Sequence, residues 1–228
     1  MNISWRNKLN GEGLYLISKI AQKTGTLSYT GWENFEAVRE AGHPLLWGTW
    51  HGQSMLLMPF FLKKLTPYRT IIMMPDDWRG ESLYYWTKKN NFHPQPMNLE
   101  DKGMDTARKF AELVKLVKEK GYHNYISPDG PHGPSHVVKP GLIYLAEKTG
   151  APIVPIGAYA RNVYEVKRWD AYAMPLPFAH IEVAIGQPIY VPRKANRQEM
   201  SEKVASAIHH ILAQAKANFY LKYETGQW

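Results

Sequence analysis

The sequence predicts an α/β domain, a mixed sheet flanked by helices, and three observations indicate it. Short apolar strand-like runs alternate with helix-like stretches from about residue 45 onward. The 228 residues are 44% hydrophobic and 21% charged, the proportions of a globular protein with one core. The sequence contains no internal repeat, low-complexity tract or long linker, so residues 1–228 are expected to form a single domain.

The elements follow from apolar patterning in chain order. Residues 44–50 and 69–74 are predicted strands on either side of a helix over 52–64. Residues 104–120 form the clearest helix, because their apolar positions recur every three or four residues and Gly121 follows as a C-terminal cap. The remaining predictions are strands at 122–127, 152–158 and 180–185 and helices at 142–148 and 198–217.

Composition excludes several classes of protein. The absence of cysteine excludes disulfides, thiolate metal ligands and thiol nucleophiles. His132 and His136 have the spacing of a helical metal pair, but intervening prolines keep them off a helix, so no metal site is predicted. The net charge of +8 suits nucleic acid, an anionic membrane or an anionic substrate. No nucleic-acid-binding motif accompanies that charge, so no nucleic acid partner is expected.

The N-terminal segment, residues 1–30, contains an amphipathic stretch over 5–23. Its apolar and basic residues are Leu9, Leu14, Ile17 and Ile20 among Arg6, Lys8, Lys19 and Lys23. Such a stretch either lies on an anionic bilayer surface or packs on its own domain. The longest apolar run, 55–62, is too short to span a bilayer, and no cleavable signal is recognisable. We therefore expect a cytoplasmic protein, peripheral on the inner face of the cell membrane.

Two segments are candidates for chemistry. His51 follows the first buried strand, where α/β sheets bind ligands, and its imidazole can act as a general base. The alternative is a histidine that packs or caps locally. Residues 127–136 contain prolines and glycines that impose a rigid loop after a strand and fix Asp129 and His132. With Lys139 before the next helix, this loop predicts a pocket for an anion and a hydroxyl, with a structural turn as the alternative.

These segments resemble the motifs of glycerolipid and lysophospholipid acyltransferases. Residues 127–132 resemble the family's Phe-Pro-Glu-Gly-Thr-Arg block, 138–146 its Phe-Lys-Lys-Gly-Ala segment, and 151–157 its Val-Pro-Ile-Val-Pro block. His51 falls where the catalytic histidine of the family belongs. The resemblance covers 45–190 and is nearest to a bacterial branch with a Pro-Asp-Gly-Pro-x-Gly-Pro motif, related to lipid A acyltransferases.

The resemblance implies a fold of the glycerolipid acyltransferase type and a membrane-associated enzyme of lipid metabolism and phospholipid biosynthesis. It implies transfer of an acyl chain from acyl-CoA or acyl carrier protein, without a cofactor, to a hydroxyl of a lipid or lysophospholipid-like acceptor. His51 would act as base without a covalent intermediate. The substrate-binding residues so implied are Gln53, Arg79, Glu81, Gly130, Pro131, His132, Gly133 and Lys139.

The sequence departs from the family pattern at several positions. Residues 79–81 read Arg-Gly-Glu where the branch has Asp-Gly-Glu, residues 95–98 replace its Arg-Gly-Ser, and His132 stands where many members have arginine.

The departure that bears most on catalysis concerns the acid that accompanies the histidine. The family places an aspartate five residues after its histidine, whereas this sequence has Leu56 there. A carboxylate is expected on the second ring nitrogen of His51, because it fixes the tautomer and stabilises the imidazolium. The candidates are Asp129 first, Asp77 second, and then Asp76 or Glu81. The alternative is a catalytically inactive lipid-binding protein of the same fold.

Overall fold

The computed structural model describes residues 3–97 and 103–226, so the ends of the predicted domain and residues 98–102 lie outside the described residues. Its centre is a seven-stranded sheet in the order β1-β9-β6-β2-β5-β3-β4. The strands of this sheet are β1 (Thr26–Thr30), β2 (Leu46–Gly48), β3 (Thr70–Met74), β4 (His93–Pro96), β5 (His123–Ile126), β6 (Ile153–Tyr159) and β9 (His180–Ile185). Strands β7 (Val163–Val166) and β8 (Tyr172–Pro175) pair separately as an antiparallel ribbon.

The helices are α1 (Trp5–Thr24), α2 (Trp32–Glu40), α3 (Ser54–Phe60), α4 (Glu81–Lys89), α5 (Met104–Lys120), α6 (Pro140–Thr149) and α7 (Arg197–Thr225). The α5 helix ends as predicted, because Gly121 adopts the left-handed conformation with φ of 69°. The α6 helix begins at Pro140, whose ring fixes a helical φ at a position that needs no N–H donor. No helix within the described ranges is both long and apolar enough to cross a membrane.

The sheet is mixed and covered by helices on both faces, which confirms the predicted fold class. Strands β6 and β9 are antiparallel, and the other pairings within the sheet are parallel. One apolar cluster packs α2, α3 and α4 on the sheet through Phe35, Leu57 and Trp86. A second cluster packs α5, α6 and α7 on the opposite face. Buried on both faces, the strands are apolar at successive positions, as in β6.

Some elements differ from the sequence predictions. The predicted helix over 52–64 is divided into a 3₁₀ turn at His51–Gln53, the α3 helix and a π-helical turn at Phe61–Leu65. The edge strands β1 and β4 were not predicted, and β4 reads His-Pro-Gln-Pro. Prolines are tolerated there because an edge strand has one side without a ladder partner. The C-terminal helix is longer than predicted and ends at Thr225.

Two glycines of α1 provide a matched test of helix packing. A Cβ on Gly11 would lie 2.9 Å from the backbone oxygen of Ser82 in α4, whereas a Cβ on Gly13 would meet nothing within 4 Å. We predict that Gly13→Ala stabilises the protein by about 0.5–1 kcal/mol, because alanine is the better helix former. Gly11→Ala should destabilise it by about 1–3 kcal/mol through overpacking. Denaturant unfolding measures both, and equal effects of the two variants would contradict the packing.

A buried histidine at the start of β5 predicts a pH dependence of stability. His123 accepts a hydrogen bond from the backbone N–H of Leu45 at 3.2 Å, and burial lowers the pKa of His123 from 6.5 to about 4. Between pH 6.5 and about 4, His123 is therefore protonated in the unfolded chain but neutral in the folded protein. The resulting stability is present above pH 6.5 and is lost as the pH falls toward 4. The loss is on the order of 3 kcal/mol.

We predict that His123→Asn makes the free energy of unfolding fall less steeply between pH 6.5 and 4, whatever its effect at neutral pH. Denaturant unfolding across this range measures the slope. The exposed His43→Asn variant is the control. An acid slope that is the same in His123→Asn and in the unsubstituted protein would contradict the prediction.

Candidate active site

His51 stands where the first central strand ends and the chain turns into a helix. The histidine begins the 3₁₀ turn that follows β2, at the carboxyl edge of the parallel strands β2, β3 and β5. Its backbone N–H donates to Asp129 Oδ1 at 2.8 Å, and the other Asp129 oxygen accepts from the His136 backbone N–H at 3.2 Å. Asp129 is fully buried in the loop after β5. The loop after β5 therefore holds the backbone of His51 through Asp129.

The carboxylate on the imidazole ring comes from a different part of the chain. Asp170 Oδ2 lies 2.6 Å from His51 Nδ1, and the Asp170 side chain is fully buried. Asp170 occupies the turn between β7 and β8, 119 residues after the histidine. With Nδ1 held by a carboxylate, Nε2 is the ring nitrogen left to accept a proton. The two side chains form a histidine–aspartate pair without the sequence spacing of the family motif.

This geometry corrects the prediction that the ring carboxylate is Asp129, Asp77, Asp76 or Glu81. Each of the four is occupied by other donors. Both Asp129 oxygens accept backbone N–H groups, and Asp77 is bound by Arg79. Asp76 pairs with Lys109 at 2.8 Å. Glu81 accepts from the Ser4 backbone N–H and the Asn7 side chain, so it fixes the start of α1.

The turn that carries Asp170 packs against His51 because Gly52 leaves room for its backbone and Arg168 pairs with its carboxylate. A Cβ on Gly52 would lie 2.0 Å from the backbone oxygen of Asp170, so only glycine allows this approach. Arg168 Nε lies 3.3 Å from Asp170 Oδ1 and offsets part of the buried charge. Trp169 stacks on the His51 ring with centroids 5.7 Å apart. The ring is thus held between its carboxylate and an aromatic plane.

Gly130 also packs closely against the ring. A Cβ at this position would lie 2.7 Å from His51 Cδ2. The peptide bonds Gly130–Pro131 and Gly133–Pro134 are cis, and Gly133 lies against the Trp169 ring, where a Cβ would meet Cε3 at 3.0 Å. The loop and the β7–β8 turn therefore both pack against the imidazole. Gly130 is required by its close approach to the ring, and Gly133 by its φ of 75°.

An apolar cavity of about 330 Å³ adjoins His51. It lies among α1, α3, α4 and the ends of β3 and β5. Its apolar lining residues are Leu14, Met55, Met58, Phe61, Ile72, Met73, Met74, Leu83, Met97 and Ile126. Methionine side chains adapt to irregular shapes, so such a lining suits a flexible alkyl chain.

A small hydrogen-bonded group lies in the cavity wall beside His51. The Tyr125 hydroxyl donates to Ser54 Oγ at 2.8 Å, and Ser54 donates in turn to the backbone oxygen of His51 at 2.8 Å. Burial raises the pKa of Tyr125 to about 12 and also raises the pKa of Tyr172. Both phenols therefore stay neutral near physiological pH and can donate hydrogen bonds but cannot act as anions.

A charged cluster borders the same cavity. Arg79 Nε donates to Asp77 Oδ2 at 2.8 Å, and Arg79 Nη1 lies 3.1 Å from His132 Nε2. The guanidinium lowers the pKa of Asp77 through this hydrogen bond. Arg79 and His132 are exposed, and both line the cavity with Pro131 and Gly130. These residues can present donors to an anionic group near His51.

The remaining residues that the resemblance implied for substrate binding lie elsewhere. Gln53 accepts a hydrogen bond from the Ala158 backbone N–H at 3.2 Å and so joins the 3₁₀ turn to β6. Lys139 precedes α6 and donates to the backbone oxygen of Gly130 at 2.9 Å. Neither these two residues nor Glu81 and Gly133 line the cavity, within the part of the chain that the structure describes. Their contacts support the loops around the cavity.

Sequence reasoning missed Asp170, Trp169, Ser54 and Tyr125. Asp170 lies in a stretch with no clear periodicity, between two short strands that were not predicted. One signal was available, because Asp170 is the only aspartate after Asp129 in the sequence. No group of three or more His, Asp or Glu side chains is arranged to hold a metal ion in residues 3–97 and 103–226.

The fold is of the glycerolipid acyltransferase type. The structure is similar to the crystal structure of the 1-acyl-sn-glycerophosphate acyltransferase PlsC from Thermotoga maritima, with a TM-score of 0.53 and 16% sequence identity. The similarity covers 88% of this chain and 78% of that one. In sequence, the chain is 30% identical over 70 residues to the uncharacterized protein RP090 of Rickettsia prowazekii (strain Madrid E). That segment is 31% of this chain and 32% of the relative, and no protein-family profile matches the chain.

Proposed function

We propose that this protein transfers an acyl chain from acyl-CoA or acyl carrier protein to a hydroxyl of a lipid or lysophospholipid-like acceptor. The observation that carries the proposal is the His51–Asp170 pair, 2.6 Å apart, beside an apolar cavity. A base next to a space for an alkyl chain is what O-acylation of a lipid requires. The fold similarity and the motif resemblance over 45–190 support the same reaction.

The reaction follows from the geometry of the pair. Nε2 of His51 removes the proton of the acceptor hydroxyl, and the resulting alkoxide oxygen attacks the carbonyl carbon of the thioester. The tetrahedral intermediate then collapses, the C–S bond breaks, and the departing thiolate takes the proton from the imidazolium. Asp170 holds Nδ1–H throughout and stabilises the cation. The sulfur leaves as the thiol of CoA or of the carrier protein. Because the acceptor oxygen is the attacking atom, the protein needs no nucleophile of its own.

The substrates are assigned to opposite parts of the cavity. The acyl chain occupies the methionine-rich interior, and the acceptor headgroup lies at the Arg79–His132 edge. An anionic headgroup there competes with Asp77 for the guanidinium of Arg79. Lys139 and the N-terminus of α6 add positive potential behind Gly130. The net charge of +8 favours action at the anionic inner face of the cell membrane.

The alternative of a catalytically inactive lipid-binding protein rested on Leu56. Leu56 is buried in the core, and Asp170 supplies the carboxylate that this position lacks. The absence of an acid at position 56 is therefore no longer an argument for inactivity. Binding of nucleic acid has no support beyond the net charge.

The proposal predicts a specific pattern of activity in single-turnover assays with a thioester donor and a lysophospholipid acceptor. His51→Ala should lower the rate by about 10² to 10⁴, because general base catalysis is lost. Asp170→Asn should lower it by a similar factor, about 10² or more, while circular dichroism shows the fold retained. Asp105→Asn is the matched control, because this exposed aspartate pairs with Arg108 and Lys109 and does not line the cavity.

Two results would contradict the proposal. Unchanged turnover in His51→Ala would show that His51 is not the general base. Saturable lipid binding by the unsubstituted protein, without acyl transfer from either class of donor, would favour the inactive binding protein instead.

A further inference from the structure

Attack on a thioester turns its carbonyl oxygen into an oxyanion, which needs hydrogen-bond donors that are already in place. His51 and Asp170 do not meet this need, because they act on the proton of the acceptor and on the charge of the imidazolium. A suitable donor must line the cavity beside His51, must carry a proton at neutral pH and must not already donate that proton within the protein.

Backbone N–H groups close to the His51 ring are engaged by the protein. The N–H of His51 itself donates to Asp129 Oδ1 at 2.8 Å, and the N–H of Gly130 donates to the backbone oxygen of Ser127 at 3.1 Å. Three positions of the same loop have no N–H at all, namely Pro128, Pro131 and Pro134. These contacts favour a side chain as the donor to the oxyanion.

The hydroxyls of Tyr125, Ser54 and Ser127 form a hydrogen-bonded chain in the cavity wall. Tyr125 donates to Ser54 Oγ at 2.8 Å, and Ser54 donates to the backbone oxygen of His51 at 2.8 Å. Ser127 donates to the Tyr125 oxygen at 3.3 Å. Each hydroxyl of this chain therefore already donates within the protein.

Tyr172 lines the same cavity with a hydroxyl that has no partner. Its side chain makes no hydrogen bond to any residue in the ranges 3–97 and 103–226. The residue is half-buried, and its ring centroid lies 5.5 Å from that of His51. Burial raises the pKa of Tyr172 above its ordinary value of 10.0, so the phenol keeps its proton at neutral pH.

The Tyr172 ring is positioned by the same ribbon that orients the histidine. Tyr172 begins β8, two residues after Asp170, whose carboxylate holds His51 Nδ1. The guanidinium carbon of Arg168 lies 5.2 Å from the centroid of the Tyr172 ring. The turn that aligns the base therefore also fixes the phenol beside it.

We propose that Tyr172 is a catalytic residue whose hydroxyl donates a hydrogen bond to the thioester carbonyl oxygen and stabilises the oxyanion. Tyr172 keeps its proton throughout, and the hydrogen bond strengthens as negative charge develops on the oxygen. An interaction that is stronger in the transition state than in the bound donor lowers the barrier to the reaction. The inference rests on the proposed function for the reaction, but its contact with the donor is testable without acyl transfer.

A change of one atom tests the kinetic role. Tyr172→Phe keeps the aromatic ring against His51 and Arg168 and removes only the hydroxyl. With a palmitoyl thioester of CoA or of acyl carrier protein and a lysophospholipid acceptor, it should lower kcat by about 10² to 10³ and leave the KM of the donor little changed. The matched control is Tyr164→Phe, because Tyr164 is in the same ribbon but is 61% exposed and does not line the cavity.

The carbonyl stretch of a bound donor separates this role from acyl transfer itself. With the [1-¹³C]palmitoyl thioester and no acceptor, infrared difference spectra should place the C=O band at lower frequency in the unsubstituted protein and in Tyr164→Phe than in Tyr172→Phe. A band that Tyr172→Phe leaves unchanged would overturn the inference even if the protein transfers acyl chains, and so would equal kcat values in the two variants. A band that moves in Tyr172→Phe alone would support the contact even if no acceptor is acylated.

Discussion

A buried carboxylate beside a histidine imposes requirements on much of this structure. The Asp170 side chain is fully buried, and an unpaired charge in that position would cost several kcal/mol, so its oxygens need cationic or hydrogen-bonding partners. His51 and Arg168 provide them. The β7–β8 ribbon must place its turn over the histidine, and Gly52 must leave room for the turn's backbone. The ribbon stands outside the central sheet but is essential to the site.

Two aspartates divide the task of holding His51. Asp129 binds the backbone N–H, so it sets where the residue sits at the end of β2. Asp170 binds the ring, so it sets the orientation and tautomer of the imidazole. They come from two different loops, and a residue next to each of them, Gly130 and Trp169, packs against the ring. Asp129 cannot take the place of Asp170 at the ring, because both Asp129 oxygens already accept backbone N–H groups.

The sequence predicted correctly those features that depend on residues close together in the chain. The position of His51 after a strand and the rigid loop over 127–136 follow from neighbouring residues, and so does the mixed α/β fold. The partner of His51 could not be found in this way, because Asp170 is 119 positions away and lies in a turn whose flanking strands are four residues each. The prediction that Asp129 binds the His51 ring was wrong, since the Asp129 carboxylate accepts from the backbone N–H of His51 and Asp170 binds the ring.

The tautomer of His51 in ¹⁵N-labelled protein tests the histidine–aspartate pair most directly. Histidine ¹⁵N–¹H correlation spectra distinguish a proton on Nδ1 from one on Nε2, and His51→Ala identifies the signal. The neutral ring should carry its proton on Nδ1, facing Asp170, and Asp170→Asn should abolish that preference. A neutral ring protonated on Nε2, or a spectrum unchanged by Asp170→Asn, would contradict the pairing on which the proposed mechanism depends.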